Sequence, residues 1–346
     1  MSPLSDYKKA LIVARTQRYN TDLTNLFAYY QGLLDAINAN ASLSRSVKIG
    51  NTRTLIKQKN AAVNSLRAIY KSDVYKINRI TTLPTPPPPP ARTIPMKIAI
   101  LIGINYVGTP NQLMGCINDT VTMSNILKNA YGYSGSNMTF MTDYTFIKPT
   151  GANILNAFTN LLKNSIAGDS LFFFYSGHGT QKANNNNLNP NDKIDECIYP
   201  LDGKIVTDVK FKQTIDANMK SGVKLTAIFD SCFSGTMMNL KYNYLNGTNN
   251  SDLTVDSYQT DTIGQVICMS GCKDEQTSED DYIDGKYNGA LTWALSTTLS
   301  SAPANAPLTW TQLVNGIRTI LASNEFTQIP QFSSGTVIDV NGVVAF

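Results

Sequence analysis

Two residues of this chain could form a reacting pair: Cys232, in Asp230-Ser231-Cys232-Phe233-Ser234-Gly235, and His178, in Ser176-Gly177-His178-Gly179. A thiol is only slightly ionised at neutral pH, and its thiolate is the nucleophile. A neighbouring imidazole can take the thiol proton and later return it to a leaving amine. The glycines beside His178 let the backbone turn sharply and approach a substrate. Small residues after Cys232 leave N–H groups for an oxyanion, with Gly177 and Cys232 as the expected donors. Each residue also has a structural reading. A lone cysteine is most often a small buried hydrophobe, which is the reading given to Cys116, Cys197, Cys268 and Cys272. A lone histidine is more often structural than catalytic, yet this one is the only histidine of the chain and follows an apolar run. One histidine without matched cysteine pairs does not make a zinc site.

The elements that must position this pair begin at Met96. KIAILIG (97–103) is a continuous apolar run, as expected of a strand buried on both faces. A helix over NDTVTMSNILKNAYG follows, with Asn118 or Asp119 near its start. NMTFMTD is a second strand and GANILNAFTNLLKNS a second helix. SLFFFYSG (170–177) and VKLTAIFD (223–230) are further buried strands, separated by a helix around 208–221. GQVICMSG is another strand, GALTWALSTTL and TWTQLVNGIRTILAS are helices, and GTVIDV is the expected last strand. This alternation predicts an α/β domain with a mostly parallel central sheet covered by helices on both faces. Active sites in such sheets lie at the carboxyl ends of strands. His178 and Cys232 each follow such an end, so the two segments are expected to emerge side by side.

Residues 1–80 read differently. LFAYYQGLLDAI and NAAVNSLRAIYKSDVYKI carry apolar residues at helical spacing, predicting a small α-helical region, as a hairpin or bundle. It holds 13 Lys and Arg against 4 Asp and Glu, whereas the remainder holds 16 against 21. Such asymmetry suggests two units with different partners. The basic region is read either as a solvated helical face or as a surface for an unidentified partner. No nucleic-acid-reading motif is present. Pro86 to Pro90 favour an extended spacer, so residues 81–95 are expected to be a linker and 96–346 the catalytic domain. Five cysteines without dense spacing suit a reducing compartment. With no apolar stretch of membrane-spanning length and no signal-peptide pattern, a cytoplasmic monomer is expected, and the N-x-[ST] match at Asn246 carries no weight.

AILIGINY, GCINDT, FFFYSGHGTQ, DECIYPLD, TAIFDSCFSG, MSGCKDEQTS and GALTWAL together resemble the metacaspases, caspase-like cysteine peptidases, over residues 97–300. The His-to-Cys spacing also suits the roughly 50 residues of caspase-type chains. The resemblance implies a caspase-like fold, His178 as base and Cys232 as nucleophile. It also implies cleavage after Arg or Lys, with Asp119, Ser176 and Asp230 holding the basic side chain, and a prodomain-like role for residues 1–80. Two carboxylates can neutralise a guanidinium and direct its hydrogen bonds. Separate readings of Asp119 as a helix N-cap and Asp230 as a turn residue are compatible with that role.

Many family members are activated at a calcium site of four acidic residues. Asp195 and Asp208 match two of them, and Thr207 and Asn239 stand where the others would be. Two fewer charges weaken the hold on a hard dication, so no cofactor is expected to be required. Glu279, Asp280, Asp281 and Asp284 are read as a solvated loop. Phe233 stands where the family usually has histidine, and it is expected to leave the pair intact while altering the packing beside the nucleophile. The expected function is a cysteine endopeptidase cutting after Arg or Lys through an acyl-enzyme, with Arg92, Lys241 and Lys273 as exposed self-cleavage sites. The alternative is an inactive caspase-like scaffold acting through partner binding.

Overall fold

The computed structural model describes residues 3–80, 92–184, 193–231, 237–244, 253–271, 280–283, 286–303 and 306–346, without the side chains of 3–4, 280–283 and 286. Cys232, Phe233, Cys272, Lys273, Glu279, Asp284, Asn246 and the run Pro86 to Pro90 lie outside the described residues. Cα packing divides the chain at Ala91 and Arg92, with Met138–Phe140 and Thr145–Ile147 grouped with the first part.

The first part is built on two helices, α1 (Pro3–Ala39) and α2 (Arg45–Asn78). Ser44 caps α2, its hydroxyl accepting from the Val47 N–H, which satisfies one of the donors a helix start leaves over. Tyr19 and Leu23 of α1 are buried with Val63 and Tyr70 of α2. Arg15 is paired with Asp73 at 2.7 Å. No helix among the described residues is long and apolar enough to cross a membrane.

The rest of the chain is laid over one main sheet and two smaller ones. Its strands in chain order are β1 (Lys97–Gly103), β2 (Met138–Thr142) and β3 (Ser170–Ser176), then three short strands β4 (Gly179–Ala183), β5 (Ile194–Ile198) and β6 (Val206–Thr207) of a separate small sheet. They continue with β7 (Lys224–Asp230), β8 (Tyr242–Tyr244), β9 (Leu253–Val255), β10 (Gln265–Ser270), the hairpin β11 (Asp280–Ile283) and β12 (Lys286–Gly289), and β13 (Gln331–Ser334). The main sheet runs β2-β1-β3-β7-β10-β13-β8-β9. Strands β1, β3, β7 and β10 are parallel neighbours, and β13, β8 and β9 add antiparallel edges.

Helices α3 (Cys116–Tyr131), α4 (Gly151–Lys163), α5 (Asp208–Asn218), α6 (Ala290–Ser301) and α7 (Trp310–Ser323) complete it. Two successive residues of β3 show why helices lie on both faces, since neighbours in a strand point to opposite sides. The Phe173 ring meets Phe158 of α4 at 5.1 Å and Phe211 of α5 at 5.6 Å. The Phe172 ring instead meets Phe346 at 5.4 Å, and Phe346 in turn meets Trp310 of α7.

Two expectations are corrected. The last strand is Gln331–Ser334, not GTVIDV. Its residues are buried by antiparallel pairing with β10, and Gly335 fits because a side chain there would strike Thr262 Oγ1 at 2.2 Å. Helix α3 starts at Cys116 with Gly115 as N-cap, so Asp119 lies within the helix and does not cap it.

Candidate active site

Gly103, Ser176 and Asp230, the last residues of three parallel strands, stand in one row of the register. The site grows from that row. Gly103 lets α3 close over the end of β1, because a Cβ there would lie 2.3 Å from the Cys116 carbonyl oxygen and 2.7 Å from Thr120 Cγ2. The first turns of α3 thereby bring Asp119 over Ser176, whose hydroxyl donates to Asp119 Oδ2 at 2.7 Å. The Gly289 N–H donates to the same carboxylate, 3.0 Å from Oδ1 and 3.1 Å from Oδ2. Asp230 Oδ2 accepts from both the N–H and the hydroxyl of Thr292, each at 2.8 Å.

The two carboxylates face each other across Gly289. A Cβ at that glycine would stand 2.2 Å from Asp230 Oδ2 and 2.9 Å from Asp119 Oδ2. Asp119 is fully buried, and Ser176 and Asp230 are 1% and 4% exposed. Buried like charges are costly unless donors meet them. Here the N–H groups of Gly289 and Thr292, at the positive end of α6, do so. The structure therefore brings the three expected pocket residues together. Gly289 and Thr292 join them, although only their stretch GALTWAL had drawn notice in the sequence.

His178 lies two residues past β3. Its Nε2 is 2.8 Å from the Asn111 carbonyl oxygen. A carbonyl can only accept, which places the ring proton on Nε2 and leaves Nδ1 as an acceptor. The His178 carbonyl accepts from the Tyr175 hydroxyl at 2.8 Å and the Tyr199 N–H at 2.9 Å. The Gly177 N–H is directed at the Asp230 carbonyl at 3.3 Å. Its expected role as oxyanion donor is corrected accordingly, because the bond between the ends of β3 and β7 uses it. Gly177 is needed for room, since a Cβ would meet Tyr175 Oη at 2.8 Å and Tyr106 Oη at 3.0 Å.

Three of the four residues expected near calcium make other bonds. The Thr207 hydroxyl caps α5, accepting from Lys210 N–H at 3.1 Å. Asn239, with φ of +49°, accepts through Oδ1 from Gln259 at 3.1 Å. Asp208 and Asp195 are both buried, and Asp208 Oδ1 accepts from Val209 N–H at 2.6 Å. No group of three His, Cys, Asp or Glu placed to hold a metal occurs among the described residues. Of the four expected residues, only Asp195 and Asp208 bring charge to a cation that takes six to eight oxygen ligands.

Two of the expected self-cleavage residues are ion-paired. The Arg92 guanidinium is bonded to both oxygens of Asp169, and the Asp169 side chain is fully buried. Lys241 is paired with Asp261 at 2.8 Å. Neither basic head is the free side chain that an exposed loop would offer.

The family model "Metacaspase, peptidase C14 domain" matches residues 97–241. Metacaspase-1 of Schizosaccharomyces pombe is 34% identical over 295 residues, covering 70% of this chain and 68% of that protein. Metacaspase-1 of Emericella nidulans is 36% identical over 292 residues, with coverage of 70% and 71%. Among solved structures, protein GSU0716 from Geobacter sulfurreducens superposes with a TM-score of 0.52 at 22% identity, over 71% of this chain and 95% of that one. Caspase-1 from Spodoptera frugiperda gives a TM-score of 0.44 at 11% identity, over 74% and 94%, an overlay too loose to carry weight. The class that these elements define is an α/β protein with a mostly parallel sheet, helices on both faces and a polar cluster at its carboxyl edge. The chain belongs to the metacaspase family and is a cysteine peptidase.

Proposed function

We propose that residues 96–346 form an endopeptidase unit that cuts after Arg or Lys, with Cys232 as nucleophile and His178 as its acid–base partner. The pairing of Ser176 with Asp230 supports the dyad. Counted from that pair in the sequence, His178 and Cys232 each come two residues after the last residue of adjacent parallel strands. His178 Nδ1 takes the thiol proton, the thiolate attacks the scissile carbonyl, and the imidazolium returns the proton to the departing amine. Water then attacks the acyl-enzyme with His178 as base, releasing the acid and restoring the thiol.

The observation that carries the specificity is the meeting of Asp119 and Asp230 across Gly289. A guanidinium or ammonium supplies the charge and the donors that two buried carboxylates want. Both are covered in this structure, so substrate entry requires that cover to move. Residues 1–80 are a prodomain-like region whose excess basic charge suits a partner with an acidic surface.

The test is a panel of fluorogenic peptides with Arg, Lys or Asp at the cleaved position. Arg and Lys peptides are expected to turn over and Asp peptides not, and Cys232→Ala is expected to abolish turnover. Asp230→Asn should lower kcat/KM for Arg peptides about ten- to a hundredfold, the worth of a lost charge-assisted hydrogen bond. Full turnover by Cys232→Ala would sink the reading.

A further inference from the structure

Tyr106 touches His178 in two ways. The His178 backbone N–H donates to Tyr106 Oη at 2.9 Å. The two rings also lie 4.7 Å apart between centroids, tilted by 35°. Tyr106 Oη donates onward to the Tyr199 carbonyl at 2.5 Å and stands 3.2 Å from Tyr175 Oη. Since Tyr175 Oη donates to the His178 carbonyl, tyrosine hydroxyls hold the backbone of His178 on both its N–H and its C=O side. Tyr106 is 3% exposed and has a φ of +49°, a left-handed conformation that bulky side chains seldom adopt. Such conformations persist where the surroundings over-determine them, and they gather at functional sites.

We propose that Tyr106 is the positioning residue of the acid–base histidine. Its hydroxyl fixes where the His178 backbone sits, and its ring limits the imidazole to the orientation that keeps Nε2 on the Asn111 carbonyl. Nδ1 is thereby kept as the proton acceptor. This inference deepens the reading of His178 as the acid–base group and rests on it. A tyrosine that merely filled the core would act through its ring alone, and its hydroxyl would be dispensable.

Because His178 is the only histidine of the chain, an untagged sample gives one imidazole signal set, and ¹⁵N NMR reads its tautomer and titration directly. The wild type is expected to show the Nε2–H tautomer. Tyr106→Phe keeps the ring and removes the hydroxyl. It should yield a mixture of tautomers, a shifted imidazole limb in the pH profile of kcat, and kcat lowered about ten- to a hundredfold with KM little changed. Gly177→Ala, which would press on the same hydroxyls from the other side, should move the same readouts and serves if the first variant folds poorly. An unchanged tautomer and an unchanged pH profile in a folded variant, while His178→Ala is inactive, overturn the positioning role alone. Undiminished activity in His178→Ala instead overturns the acid–base reading beneath it.

Discussion

The cysteines of this chain differ through their surroundings. Burial pushes the Cys197 thiol up to about 12, and the nearby Asp208, Asp195 and Glu196 carboxylates add to the effect. Complete burial raises Cys268 further still. Neither forms a thiolate at neutral pH, and the thiolate is the reactive form. Brief alkylation with iodoacetamide at pH 7, followed by peptide mass mapping, should therefore modify Cys232 and leave Cys197 and Cys268 unmodified. Labelling of Cys197 as fast as Cys232 would contradict this. Much of this polar cluster was legible at this scale through the metacaspase resemblance, because Asp119, Ser176 and Asp230 sit in its short motifs. Tyr106 was not. Its bonds run to backbone groups of His178 and Tyr199, distant in the sequence, and no local pattern announces them.

Among the elements, the central strands declared themselves because a strand covered on both faces must be apolar throughout. β13 did not, since Gln331, Ser333 and Ser334 are polar and owe their burial to pairing with β10. The short strands β4 to β6 and β8 to β9 were missed for a related reason, as lengths of two to five residues leave no period to read. The aromatic layer between β3, β7, α4 and α5 joins Phe158, Phe173, Phe211 and Phe229 at ring distances of 5.1 to 5.7 Å. Phe173→Ala should cost about 3–5 kcal/mol, read as a fall in the midpoint of chemical unfolding. A loss under about 1 kcal/mol would mean that the layer collapses to refill the space.

In the whole molecule, the Arg92–Asp169 pair fastens the start of the peptidase unit. Asp169 also accepts from the N–H groups of Met96 and Ile166. Burial alone would raise its carboxyl, but the bonds from Arg92, Ile166 and Met96 outweigh that and hold it below its ordinary range. A carboxyl held low lends stability that is complete above its ordinary value and lost as pH falls through the lowered one. The Tm gap between wild type and Asp169→Asn should be full near neutrality and close as the solution is taken below about pH 4. A gap that widened with acid would refute this.

That same pair bears on whether the chain can cut itself free of its N-terminal helices. From Ile80 to Ala91 there is no Lys or Arg, so an enzyme with the proposed preference for Arg or Lys finds no site within that run. At its far end, the bond after Arg92 is guarded by a carboxylate that already holds the guanidinium. To become a substrate, Arg92 would have to give up one acidic clasp for another. Under the proposed preference, a cut between Ile80 and Thr93 is disfavoured, and the basic helices are expected to stay covalently attached through this joint. Incubated wild type should keep that joint whole, whereas Asp169→Asn should release a fragment beginning at Thr93.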